Sequence, residues 1–168
     1  MQAFAAVDWM GVVDHLVSLA IAFLLALPIG LDSERHERSA GIRTFPLVAM
    51  GACGFVLVAI EILGRTSMGQ ARIMEGLITG VGFVGGGAIL KGYGKASGTA
   101  TAASLWVTGA LGAAVGYGLY DVALILAIVT FATLRGLRPL KRKVASGGEA
   151  PAEGPVADDG AVKPGSTA

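Results

Sequence analysis

From Ile73 to Leu90 the chain reads IMEGLITGVGFVGGGAIL, eighteen residues with six glycines and a single charge, Glu75. A run of that length with so little charge is suited to a membrane-crossing helix. In water each helical glycine costs roughly 1 kcal/mol relative to alanine. In lipid, helices associate by close backbone approach, which glycine permits. Gly76/Gly80 and Gly82/Gly86 are small-xxx-small pairs, and Gly85 lies between the members of the second. The run therefore predicts a helix in the middle of a bundle, touched on several sides. Residues Gly80 to Gly85 also match GxGxxG, the dinucleotide fingerprint. That motif opens a helix after a strand and needs an acid about 20 residues further on. No Asp or Glu occurs between Glu75 and Asp121, so packing is the better reading.

The other apolar runs are Val12 to Leu31, Thr44 to Leu63, Thr99 to Tyr117 and Val122 to Leu134. Only 15% of residues are charged and 54% are hydrophobic, against about 25% charged in ordinary soluble domains. The fold class that follows is all-α: a polytopic membrane helix bundle of about five transmembrane helices over residues 1–143. The fifth run is short, but started at Leu119 it reaches about 24 Å, workable with local thinning of the bilayer. Residues 144–168 are rich in Gly, Ala, Pro and acids and carry no aromatic side chain. They read as a short disordered cytoplasmic tail, because they cannot bury a core.

Smaller features carry their own expectations. The segment before Val12 has no Lys or Arg, unlike the start of a secretory signal. Asp14 and His15 fall at an interface, where a polar helix end is the ordinary reading and proton handling the sharper one. Pro28 predicts a kink. Thr44 is placed to cap the second helix, with Pro46 in its first turn. Cys53 and Trp106 read as packing residues, and Gly112/Gly116 is a further small-xxx-small pair. The single cysteine excludes an intrachain disulfide, and one cysteine with two histidines argues against a zinc site. Lys91 to Gly98 reads as a flexible loop; it lacks the residues of a P-loop.

Charge gives an orientation. With the N-terminus outside, the inner segments carry Arg35, Arg38, Arg43, Lys91, Lys95, Arg135, Arg138, Lys141, Arg142 and Lys143, and the outer ones only Arg65 and Arg72. The positive-inside rule then predicts a periplasmic N-terminus and a cytoplasmic C-terminus. The basic cluster after the last run suits anionic lipid at the inner face.

The polar stretch Asp32 to Arg43 holds three acids and three arginines. A solvated turn with exposed ion pairs is the ordinary reading. The functional one starts from helical continuation past Leu31, which sets Glu34 and Arg38 four residues apart on one face. Arg43 then lies at the interface directly before Thr44, within reach of Asp32 or Glu34. The functional candidates are Asp32, Glu34, Arg35, Arg43, Thr44 and Glu75. Magnesium takes oxygen ligands, usually one or two carboxylates and several waters. Asp32 and Glu34 are weak candidates for that role, and the metal, if any, is left unknown. No nucleophile–base pair stands out, so no catalytic residue is assigned.

Three stretches together resemble the MgtC/SapB family of bacterial inner-membrane proteins. Gly30 to Glu34 with Ala40 to Val48 looks like the family's GLERE…AGLRTHxLV. Arg72 to Leu90 looks like RI…SGIGFLGAGxIL. Thr99 to Thr108 looks like LTTAASLWVT. Asp32 and Ser33 depart from the family's Glu and Arg, while Glu34 and Arg43 match it. Many relatives also carry a folded cytoplasmic C-terminal domain. The resemblance implies a non-enzymatic inner-membrane protein linked to growth at low magnesium and, in pathogens, to survival inside phagocytes. It would act by modulating other membrane proteins, the F-type ATP synthase among them. A small magnesium or proton transporter is the alternative. Expected partners are the bilayer and other membrane proteins or a second copy, met through small-residue helix faces. No nucleic acid and no cofactor beyond Mg2+ are expected.

Overall fold

The computed structural model describes residues 8–35, 40–92, 95–137 and 139. The expected tail at 144–168, His36, Glu37, Arg38 and the basic residues Arg138 and Lys141 to Lys143 lie outside the described residues. The described residues form five helices: α1 (Trp9–Glu34), α2 (Thr44–Leu63), α3 (Gly69–Gly87), α4 (Thr99–Gly116) and α5 (Tyr120–Gly136). Three of them, α1, α2 and α4, are long and apolar enough to cross a membrane. Between α3 and α4 lies a two-stranded antiparallel hairpin, β1 (Leu90–Gly92) and β2 (Lys95–Ser97), with Lys91 opposite Ala96. This ladder replaces the flexible loop expected at Lys91 to Gly98. The glycines and lysines there argued against a helix but said nothing of strand pairing.

Helix α1 starts at an Asp8 cap, whose side chain accepts from the Met10 amide at 3.1 Å, and runs unbroken through Pro28 to Glu34. It outlasts the apolar run by three residues and ends at Glu34, short of Arg38, which lies outside the described residues. The α4–α5 connection is tight because Gly118 adopts a positive φ of 77°, which glycine tolerates. The Leu119 amide there donates back to the Ala114 carbonyl at 2.8 Å.

The centre of the bundle is α4, which packs against all four other helices. Eleven of its eighteen residues are buried. Small side chains let its neighbours come to backbone distance. A Cβ on Gly112 would run into the Ala49 backbone of α2. On Gly116 it would lie 2.7 Å from Val56 Cβ and 2.9 Å from the Cys53 carbonyl oxygen. Cys53, Phe45 and Ala49 are fully buried on the facing side of α2. The polar residues of α4 bond within their own helix: Ser104 Oγ donates to the Thr101 carbonyl at 2.9 Å, and Thr108 Oγ1 to the Ser104 carbonyl at 2.8 Å. Thr101 Oγ1 is buried and has no hydrogen-bond partner among the described residues.

The glycine-rich helix is not the one in the middle. On α3 only Gln70 and Gly85 are buried. A Cβ on Gly76, Gly80, Gly82 or Gly86 would meet nothing within 4 Å; close neighbours lie only at Gly85, the Ala102 carbonyl oxygen at 3.0 Å, and at Gly69 in the first turn, Leu63 Cδ1 at 3.0 Å. Glycine density announces that a backbone can be approached, not which neighbour approaches it. Here α4, with its own small residues, takes the core, and α3 lies against one side of it. Trp106, expected as a packing anchor, is 49% exposed. Helix α3 also starts earlier than its apolar run, at Gly69, so Glu75 is its seventh residue rather than its third.

Candidate functional site

Residues 30–35 and 40–46 lie against each other at one end of the bundle, where α1 ends and α2 begins. Gly30 makes the fold possible. A Cβ there would lie 3.2 Å from Ile42 Cα and 3.3 Å from Phe45 Cβ, so the incoming chain rests on bare backbone. Phe45 and Pro46 are buried beneath the elbow, anchoring the start of α2. Asp32 and Ser33 are 7% and 5% exposed, turned inward although they sit in the most polar stretch of the chain. Glu34 reaches across the elbow, and its Oε2 accepts the Ile42 amide at 3.0 Å. A side chain at Gly41 would collide with that carboxylate. Hydrogen bonds to charged groups contribute about 1.5–3 kcal/mol, and the exposure of Glu34 places this one toward the low end.

The arginines behave differently from the expectation. Among the described residues Arg43 makes no ion pair with Glu34, whose Oε2 accepts a backbone amide instead. Arg43 is exposed and lines a shallow cleft of about 470 Å³ with Thr44, Leu47 and Val48. Thr44 is not the cap of α2. It is the first helical residue, its amide donates to the Gly41 carbonyl at 3.0 Å, and the cap position falls to Arg43 without a side-chain bond. Arg35 is exposed at the end of α1. Glu75 is not brought to the elbow: it is exposed on the first half of α3, where Thr79 Oγ1 donates to its carbonyl at 2.8 Å. Among the described residues no three His, Cys, Asp or Glu side chains group closely enough to hold a metal ion. A cation at the elbow would be held by Asp32 or Glu34 with water, in keeping with the hydrated coordination of magnesium.

A second polar cluster, at the opposite end, was missed in the sequence. His15 Nε2 of α1 lies 3.7 Å from Glu61 Oε1 of α2. With Asp14, Ser18, Arg65 and Tyr120 they line a polar cavity of about 340 Å³. Beside it, Arg65 Nη1 donates to the Tyr117 carbonyl at 2.9 Å, Tyr117 Oη to Gln70 Oε1 at 2.8 Å, and Gln70 Nε2 to the Gly64 carbonyl at 2.8 Å. The signal was present: α1 and α2 run antiparallel, so the first polar residues of one must meet the last of the other.

The folded elbow coincides with the first of the three motif stretches, and α3 and α4 carry the other two. Residues 19–143 match the model of the MgtC family. The chain belongs to the MgtC/SapB family. It is 41% identical to protein SrpB of Synechococcus elongatus over 147 residues, covering 80% of this chain and 79% of that protein. It is 36% identical to protein MgtC of Brucella abortus over 132 residues, covering 79% of this chain and 55% of the relative. With the putative magnesium transporter YhiD of Escherichia coli K12 it shares 31% identity over 127 residues, 72% of this chain and 59% of the relative. Against these last two the chain spans little more than half the relative's length. No solved structure matches it. As an MgtC/SapB member with long apolar helices, it is a membrane protein.

Proposed function

We propose that this MgtC/SapB protein supports growth at low magnesium as a non-enzymatic modulator of other membrane proteins, with the α1–α2 elbow as its functional site. The observation that carries the reading is the elbow itself. The first of the three signature stretches brings its described ends together, with Asp32 buried, Glu34 on the Ile42 amide and Arg43 left exposed at the edge. Asp32, Glu34, Arg35, Arg43 and Thr44 are its working residues; Glu75 stands apart. The printed names of the Brucella and Escherichia coli relatives support the link to magnesium. The charge distribution supports an inner-membrane orientation with the N-terminus periplasmic and the elbow cytoplasmic. Residues 1–143 then form the membrane domain, α3 and α5 crossing with the other three helices. In this reading partners meet the bundle through the unfilled glycine positions of α3 as well as at the elbow.

Glu34→Gln separates charge from structure. The amide oxygen still accepts the Ile42 N–H, so the elbow stays closed while the negative charge is lost. Glu34→Gln and Arg43→Ala are each expected to abolish growth support at low magnesium with normal protein levels in the membrane, and Arg43→Lys to recover little, since an ammonium lacks the planar fork. Wild-type growth of the Glu34→Gln strain would remove the elbow as the site. The alternative, a small magnesium transporter, draws on the name of the YhiD relative and on the buried carboxylate at Asp32. Magnesium flux in proteoliposomes of the purified protein, abolished by Asp32→Asn, would replace the modulator reading with this one.

A further inference from the structure

A further cavity lies away from the elbow. It is an apolar groove of about 720 Å³ between the outer faces of α2 and α3. Its volume lies within the ordinary range of small-molecule sites, about 300–1,000 Å³. Gly51 of α2 and Gly76 and Gly80 of α3 lie along it, and none of the three has an atom within 4 Å of where its Cβ would be. Apart from Arg72 every lining side chain is apolar or absent. Arg72 is exposed in the first turn of α3, with no ion pair or hydrogen bond among the described residues. Glu75, three residues on, does not line the groove.

We infer that this groove holds one phospholipid of net negative headgroup, its phosphate against Arg72 and an acyl chain along the glycine-lined groove. Length and charge together select this occupant. From Arg72 to Val84, the span of the groove on α3, the helix rises about 18 Å. That is close to one leaflet of a hydrocarbon core about 30 Å thick, the length of one acyl chain. A guanidinium binds phosphate oxygens through its planar fork, and the N-terminal end of a helix favours an anion. An unpaired cation at one end of a dry slot is thus complementary to an amphiphile with a charged head and an apolar tail. Gly51, Gly76 and Gly80 leave room for the chain. The inference is independent of the elbow and of which way the bundle faces.

Native mass spectrometry of the full chain tests it, after purification in detergent and after exchange into nanodiscs of phosphatidylglycerol or phosphatidylethanolamine. The wild-type monomer is expected to retain one phosphatidylglycerol, at least about tenfold more than phosphatidylethanolamine, and Arg72→Gln to lose that retention. Gly76→Leu/Gly80→Leu, which fills the groove at positions with free space, is expected to lose the lipid while keeping the thermal stability of the wild type. Equal retention of the two lipids, or retention unchanged by Arg72→Gln, overturns the proposal. A lipid-free wild-type dimer converted to monomer by Gly76→Leu/Gly80→Leu also overturns it, and assigns the groove to a second copy.

Discussion

Helices α3 and α4 carry the same device and use it differently. Helix α3 has seven glycines in nineteen residues, yet only Gly85 and, at the first position, Gly69 are closely approached by other parts of the chain. Helix α4 has three glycines in eighteen, and Gly109, Gly112 and Gly116 would each strike a neighbour if given a Cβ. The difference is position. With four helices packed against it, α4 must be thin where they meet it, so its small residues include Ala113 and Ala114 as well as glycine. Only one flank of α3 is covered within the chain. The rest of its glycines keep a surface low without filling it. A small residue in a membrane helix thus marks permission to approach, and the tertiary arrangement decides whether the permission is used within the chain or left for lipid and partners.

Substitutions sharpen the contrast. The largest effect is expected at Gly112→Leu. Its side chain would be driven into the Ala49 backbone, which cannot move aside as a side chain can, and overpacking of this kind costs roughly 1–3 kcal/mol or more. Folded yield and the melting temperature in detergent should both collapse, and a variant with wild-type stability would mean that α2 and α4 are not in backbone contact. A smaller loss is expected for Gln70→Leu, which breaks the Tyr117–Gln70–Gly64 chain joining the α2–α3 turn to the end of α4. Leaving partly buried polar groups unpaired costs about 1–3 kcal/mol, seen as a lower melting temperature and faster proteolysis at this turn.

Thr101→Val runs the other way. It replaces a buried hydroxyl that has no partner among the described residues by a methyl of similar shape. Stability should rise by up to about 1 kcal/mol; a fall would show that the hydroxyl is bonded in the membrane. The smallest effect is expected for Gly82→Ala and Gly86→Ala on the open side of α3, within about 0.5 kcal/mol of wild type. A destabilisation as large as that at Gly112 would erase the distinction between the two helices.

Much of the elbow could be read in advance, and part could not. Continuation of the helix past Leu31 and the juxtaposition of Glu34 with the start of α2 follow from charge pattern and helix period, but α1 ends at Glu34 and does not reach Arg38. What Glu34 would bind did not follow. Opposite charges in a sequence invite pairing with Arg43, but a carboxylate at a helix end competes equally well for a nearby amide, and Ile42 N–H won at 3.0 Å. Asp14, His15, Glu61 and Arg65 were each legible as polar helix ends. Their convergence needed only the antiparallel pairing of α1 and α2 to be applied to side chains.

By itself the sequence determined the all-helical class, the borders of the apolar helices to within a few residues, and the family, because these depend on local quantities: run length, charge spacing and motif order. Which helix lies at the centre, which glycines are covered and which carboxylate meets which donor were decided only by tertiary structure. Close approach between helices depends on the shapes of two surfaces at once, and a single helix contains just one of them. The glycines of α3 and α4 look alike in the chain, and only the packing of α2, α1 and α5 around α4 makes them differ.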